Sequence, residues 1–360
     1  MKNNITLFIC LLISVACFAQ SPKREQRATW VATVFRIDWP STVISSPGNS
    51  SDIKLQKKRL VEILDSLSSG NMNAIYFQIR SQCDAIYNSA YEPWSSDFVA
   101  TRGMDPGYDP FEFLIEEGHK RGIEVHAWLN PYRFESAAGK WEGQIGDYRK
   151  SNPDWVLEVK NQTILNPGIP EVRQRITDIV EDILLKYDLD GIMFDDYFYL
   201  SGISDEDKKE QIKYNTTGLS VEDWRRQNVN KMIAQVYHKI QDLKPFVKFG
   251  VGPAGIWGGP KSAADAYGVT NPAGIGSGFA YNKIFCDPLA WLHEKTIDYI
   301  SPQIYWTIGS AGTDYDILSK WWSEVSNKFN RNFYSSHSLS AMDPKPAPGR
   351  RFTVNGISVE

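Results

Sequence analysis

Residues 190–200 read DGIMFDDYFYL. A short apolar run, Ile192-Met193-Phe194, leads straight into two carboxylates, Asp195 and Asp196, and then into Tyr197-Phe198-Tyr199. Burying a carboxylate is costly unless it is hydrogen-bonded, and adjacent like charges oppose each other's ionisation. A single Asp here could cap the next helix or sit in a solvated loop. Two in succession, in an apolar and aromatic setting, fit a buried strand that ends where charge is used. Side chains alternate along a strand, so the two point differently and suit two different jobs.

Working outward from that strand, short β-rich runs alternate with longer helical ones. The strand candidates are Thr29–Phe35, Asn73–Arg80, Ile123–Asn130, Gly191–Asp195, Phe246–Gly252 and Tyr299–Trp306, with a weaker seventh at Arg331–Ser336. Helical patterning covers Lys54–Ser68, Pro110–Arg121, Pro170–Tyr187, Val221–Leu243 and Tyr315–Phe329. Such alternation predicts a parallel sheet with helices packed outside it. The fold class expected is α/β, a (β/α)8 TIM barrel with enlarged βα loops. A Rossmann sheet is disfavoured because no Gly-x-Gly-x-x-Gly follows the first strand. An eighth unit is not visible. After Ser336 come Pro344, Pro346 and Pro348, then RFTVNGISVE. The barrel is therefore expected over residues 27–340 without its last unit, and residues 341–360 as a Pro-rich loop or truncated continuation.

Composition narrows the function. The chain has 360 residues, 42% of them hydrophobic, enough for a full core in one large domain or two smaller ones. Lys and Arg number 39 against 43 Asp and Glu, a formal charge of −4. With no basic stretch, neither nucleic acid nor an anionic membrane surface is indicated as a partner. The 12 Trp and 17 Tyr say more, since such rings line polar clefts as well as fill cores. Lys2, the apolar run Ile5–Phe18 and the small Ala19 read as a secretory signal peptide, too short to span a bilayer comfortably. Residues 1–19 are expected to be removed and the protein exported, to the periplasm or outer envelope. A rival reading is lipoprotein processing at Cys17, where a lipobox would want Leu in place of Ser14. Removing the signal leaves Cys83 and Cys286 of four cysteines, both in or beside predicted loops. That permits one disulfide but no disulfide scaffold.

In TIM barrels the chemistry gathers where strands finish. Asp38 and Trp39 follow the first predicted strand, Arg80, Asp84 and Trp94 the second, and Asn130 and Tyr132 the third. Asp195, Asp196 and Tyr197 follow the fourth, Trp257 the fifth, and Tyr305 with Trp306 closes the sixth. Alternation sets Tyr76, Gln78 and Arg80 on one face of their strand; likewise His126, Trp128 and Asn130, and Ser301, Gln303 and Tyr305. A strand buried on both faces is normally apolar on both. The polar face is therefore expected to look toward the barrel axis and rise to a cleft at the top. Polar donors, flat rings and carboxylates together suit sugars, which offer C–H bonds to a ring face and hydroxyls to polar side chains. The candidate catalytic groups are Asp195 and Asp196. The candidate substrate-binding residues are Arg80, Asp84, Trp128, Asn130, Tyr132, Tyr197, Gln303, Tyr305 and Trp306. A plainer reading stands beside several of these. Trp39, Trp94, Trp128 and Trp257 each suit core or loop packing, Arg80 and Asp84 can form an ion pair, and His126 reads as a satisfied interior histidine. No HxH or HExxH spacing, P-loop or Gly-x-Ser-x-Gly elbow is present, so neither a metal nor a cofactor is expected.

Five long motifs carry a resemblance. TWVATVFRIDWP (29–40), NAIYFQIRSQCDAIYNSAYEPWS (73–95), VHAWLNPYR (125–133), LNPGIPEVRQRITDIVEDILLKYDLDGIMFDDYFY (165–199) and YISPQIYW (299–306) together resemble the glycosyl-hydrolase-like family 10. The resemblance runs from about Arg27 to Ser336. It implies a TIM-barrel glycosidase of the cell envelope, with bacterial members linked to peptidoglycan glycan strands stripped of their peptides. More distantly, MFDDYF is similar to the paired fourth-strand aspartates of O-GlcNAcase-type hexosaminidases. That likeness implies substrate-assisted hydrolysis, in which Asp195 orients the substrate's acetamido group, Asp196 is the general acid/base and the acetamido oxygen is the nucleophile. In the competing scheme Asp195 is itself the nucleophile or base, and its acid partner is Asp84 or Asp38. The expected function is hydrolysis of a glycan, one containing N-acetylhexosamine. A catalytically silent glycan-binding barrel and a transglycosylase are the alternatives.

Overall fold

The computed structural model describes residues 25–195, 198–276 and 279–338, with two short strands at Phe352–Val354 and Ile357–Val359 that pair antiparallel. The expected signal peptide with Cys17, most of residues 341–360, and Asp196 and Tyr197 lie outside the described residues. Seven strands form one parallel sheet in sequence order: β1 (Ala28–Val31), β2 (Ala74–Arg80), β3 (Glu124–Leu129), β4 (Gly191–Asp195), β5 (Lys248–Gly252), β6 (Tyr299–Ile300) and β7 (Asn332–Phe333). Sequential parallel order with helical crossovers is the barrel topology the sequence predicts, here a curled sheet of seven strands.

Each long crossover helix begins where the sequence carries a stop for the preceding loop. Asn49 accepts from the backbone N–H groups of Ser51 and Asp52 to start α1 (Ser50–Ser69), and Asp109 with Pro110 starts α2 (Pro110–His119). Pro170 opens α3 (Pro170–Lys186), Ser220 caps α4 (Val221–Leu243), Pro288 opens α5 (Pro288–Glu294), and Asp314 caps α6 (Tyr315–Lys328). The buried face of α3, Val172, Ile176, Ile179, Val180 and Ile183, follows the three-and-four spacing of one helical stripe.

The sheet has two different faces. Ile75, Phe77, Ile79, Val125, Ala127, Leu129, Ile192, Phe194, Phe249 and Val251 point outward into the main core beneath the helices. Tyr76, Trp128, Met193 and Tyr299 point inward and form a separate cluster with Trp30 and Tyr334. Trp30 meets Tyr76 at 4.7 Å and Trp128 at 5.0 Å, while Tyr299 meets Tyr334 at 5.3 Å. His126 sits among these rings with Nδ1 at 3.1 Å from the Tyr299 hydroxyl, the satisfied interior histidine expected. Glycines make the space: a Cβ at Gly191 would overlap the His126 ring, and one at Gly250 would overlap the Tyr299 ring. Small residues on two strands thus admit large rings from their neighbours, and the curl brings Trp30 of β1 against Gly252 of β5.

The departures from expectation have local causes. β1 ends at Val31 rather than Phe35, because the N–H groups of Thr33 and Val34 bond the Gln78 side chain instead of a neighbouring backbone. β6 keeps only two residues of the predicted Tyr299–Trp306, since Pro302 has no N–H to donate; pairing resumes as single bridges at Gln303. The loop after β3 carries an unexpected antiparallel sheet of Arg133–Glu135, Val156–Val159 and Gln162–Leu165, whose strands of three or four residues are too short to show a period. Cys83 and Cys286 are both buried and neither is in a disulfide, so the permitted disulfide does not form. The predicted loops fold inward there, and the Cys83 sulfur sits 3.2 Å from the Arg80 guanidinium. Among the described residues no helix is long and apolar enough to cross a membrane.

The inner packing yields a test. Gly250→Ala forces a methyl into the Tyr299 ring and is expected to cost roughly 1–3 kcal/mol of stability, the usual range for overpacking. Combining it with Tyr299→Leu should recover part of that loss in urea denaturation, whereas two additive losses would show that the rings and glycines do not interlock.

Candidate active site

Asp195 is the last residue of β4, at the centre of the sheet, and both its carboxylate oxygens are held by side-chain amides. Asn130, one residue beyond β3, donates from Nδ2 to Oδ2 at 3.0 Å. Gln303, past the end of β6, donates from Nε2 to Oδ1 at 2.9 Å and to the Gly252 carbonyl at 3.0 Å. The polar faces of β3 and β6 therefore do look inward, as alternation predicts, and they converge on the fourth strand's carboxylate.

A third amide sets the direction of the others. Gln78, buried in the middle of β2, accepts at Oε1 from the N–H groups of both Thr33 and Val34, each at 3.0 Å. Its Nε2 must then donate, and it does so to Asn130 Oδ1 at 2.8 Å. That leaves Asn130 Nδ2 facing Asp195. Amide orientations follow from such networks, and here two fixed backbone donors decide every later step. The chain of bonds runs from the turn after β1, through Gln78 and Asn130, to Asp195. Gln78 was missed as a site residue, although a Gln at the centre of an otherwise apolar run was the signal for it.

The other candidates divide. Trp128 lies on the inner face one layer below Asp195, 9% exposed, in edge contact with Trp30. Tyr305 is half-buried and, with Trp30, Tyr76 and Tyr334, lines a cleft of about 790 Å³ between the β1 and β7 sides of the sheet. Trp306 is half-buried against the main core. Three residues are corrected. Tyr132 is fully buried, packed in the main core near Phe198, because the chain turns outward after Asn130. Arg80 is 1% exposed and grips Glu92 through two bonds of 2.7 Å. Asp84, also 1% exposed, pairs with Arg102 at 3.0 Å. Arg80 and Asp84 thus do not pair with each other, and neither presents a polar atom to an open cleft; they brace the loop after β2 from below. Burial pushes the Glu92 carboxyl up, with the Arg80 guanidinium opposing that effect. Trp39 and Trp257 are core residues whose indole N–H groups reach Gln56 and Asp287.

The amide chain can be reversed without changing its shape. Gln78→Glu still accepts from Thr33 and Val34 but cannot donate, so Asn130 must turn its oxygen toward Asp195. Turnover of the folded protein is expected to fall at least ~10-fold, from one misdirected hydrogen bond at a half-buried carboxylate. Unchanged turnover in a folded Gln78→Glu protein would show that the chain does not govern Asp195.

Comparison with known proteins gives a consistent result. The family model described as "Glycosyl hydrolase-like 10" matches residues 25–343. The chain is 40% identical over 324 residues to the glycosyl hydrolase YngK of Bacillus subtilis (strain 168), covering 88% of this chain and 61% of YngK. It is 36% identical over 322 residues to the glycosyl hydrolase DigH of Escherichia coli (strain K12), covering 85% of this chain and 71% of DigH. It thus spans about three-fifths of the length of YngK. Among solved structures, the glycoside hydrolase domain of PgaB (BpsB) from Bordetella bronchiseptica superposes with a TM-score of 0.56 at 12% identity, covering 89% of this chain and 86% of that one. The two share a fold.

Proposed function

The chain belongs to the glycosyl hydrolase-like 10 family, and from that premise we propose that it hydrolyses glycosidic bonds at Asp195. One observation carries the assignment: a carboxylate at the mouth of the central strand, with an N–H donor fixed on each oxygen. Two amide donors, one on each oxygen, lock the rotation of the carboxylate and set its direction. Fixing a charged group in advance spares reorganisation during reaction, which is how such sites lower barriers.

The substrate proposed is a glycan containing N-acetylhexosamine, such as a peptidoglycan strand. In this reading Asp195 accepts the N–H of the 2-acetamido group and turns its oxygen toward the anomeric carbon. Asp196, next along the chain, protonates the leaving oxygen and then activates water. A second scheme makes Asp195 the nucleophile with Asp38 as acid. It is favoured over the version using Asp84, because Asp38 is exposed in the turn after β1 while Asp84 is sealed against Arg102. The leader-like residues 1–19 support export to the cell envelope, where such glycans are found.

The test is product analysis by mass spectrometry on a panel of peptidoglycan and N-acetylated oligosaccharides. Asp195→Asn and Asp196→Asn are each expected to cost at least ~10²-fold in turnover with the fold intact, the scale for a positioned acid/base group. Products unchanged in both variants would transfer the reading to a glycan-binding barrel. Disaccharide transfer products in place of hydrolysis would make it a transglycosylase.

A further inference from the structure

The turn that anchors the amide chain has a second feature. Phe35 and Arg36 follow it directly, and both adopt left-handed backbone, at φ 54° and φ 56°. A side chain with a Cβ is strained there, and a bulky one most of all. Burial does not repay the strain, since Phe35 is 62% exposed. The turn is instead held from several directions. Thr33 and Val34 bond Gln78, the Phe35 N–H donates to Asp97 at 3.2 Å, and the Ala32 N–H donates to Asp38 at 2.8 Å. Strain that is over-determined by its surroundings and serves no packing purpose points to a role outside the fold.

Loops from three strands meet at this ring. The loop after β1 supplies Phe35 and Arg36, that after β2 supplies Asp97, and that after β3 supplies Lys140 and Trp141. The Lys140 ammonium lies 5.6 Å from the centre of the Phe35 ring and 4.3 Å from that of Trp141. Arg36 is exposed, and among the described residues its guanidinium makes no hydrogen bond or ion pair. Both cations act on Asp97, whose carboxylate already serves the Phe35 N–H, while Asp38 is turned back to Ala32. The ring is therefore an exposed apolar surface with the Lys140 ammonium over one face, the exposed Arg36 next to it in the chain and one carboxylate already engaged.

We propose that Phe35 is a stacking platform for a sugar of the bound glycan, and that Arg36 and Lys140 select a sugar bearing a carboxylate. The proposal rests on the glycosidase reading and adds the substrate's charge to it. The ring face would meet pyranose C–H bonds, and the cations would meet the acid. Because the platform's turn also fixes Gln78, a sugar pressed on Phe35 is registered against Asp195 through the same bonds. Two kinds of carboxylate fit this chemistry, a lactyl ether on an N-acetylated sugar and the ring carboxylate of a hexuronate.

Calorimetry tests this without requiring turnover. The probes are a peptide-free tetrasaccharide of alternating N-acetylglucosamine and N-acetylmuramic acid, the same tetrasaccharide with its carboxyls methylamidated, and a hexuronate-containing tetrasaccharide. One of the acidic probes should bind about tenfold or more tighter than the amidated one, and which of them does so identifies the acid. Arg36→Gln combined with Lys140→Gln should abolish that preference. Phe35→Gly relieves the left-handed strain, so it should weaken binding of every probe at least ~10-fold while its melting temperature holds or rises. Equal affinity for acidic and amidated probes would overturn the charge selection. Wild-type affinity in Phe35→Gly, or a lowered melting temperature as for a packing residue, would overturn the platform. A protein that binds as stated yet hydrolyses nothing would refute the catalytic reading and leave this one standing.

Discussion

The site depends on the direction of one hydrogen-bond chain. Two backbone N–H groups, from Thr33 and Val34, converge on a single amide oxygen of Gln78. From there each amide has one orientation open to it, and the last N–H in line meets Asp195. Gln303 closes the other side, its own direction fixed by the Gly252 carbonyl. Buried polar chains of this kind are favourable only when every member is satisfied, which ties the geometry of the Asp195 carboxylate to that of a turn on a different strand.

The chain in turn depends on the curl of the sheet. Strands β2, β3, β4 and β6 are not consecutive neighbours in every case, yet their inner side chains meet around Asp195. Glycines at positions 191 and 250 allow the His126 and Tyr299 rings to fill the interior below. With that floor packed, Asn130 and Gln303 have a fixed height from which to reach the carboxylate. Under the loop after β2, the Arg80–Glu92 and Asp84–Arg102 pairs perform a similar service. Removing one partner from such a buried pair leaves an uncompensated charge, so these residues maintain the shape of the loop.

Much of this could be read in the sequence. The alternation of β2, β3 and the segment after Tyr299 places Gln78, Asn130 and Gln303 on the inner face, because a two-residue period survives even where regular pairing stops. The apolar run into Asp195 marks the strand end correctly. What could not be read was reach. Arg80 obeys the alternation and still bends to Glu92, twelve residues away and unremarkable in the sequence. Tyr132 sits two residues past Asn130, but the chain turns outward at Pro131 and carries the ring into the main core. The left-handed turn at Phe35 was read as the end of a strand, since neither residue there is the glycine that usually announces such backbone.

The most direct measurement is a crystal structure with a thiazoline analogue of an N-acetylhexosamine, which mimics the cyclised intermediate. The account predicts the analogue's ring nitrogen within hydrogen-bonding distance, about 3 Å, of the Asp195 carboxylate, with Asn130 and Gln303 still on its two oxygens. An analogue bound with its thiazoline turned away from Asp195, or absent from the cleft at saturating concentration, would contradict it.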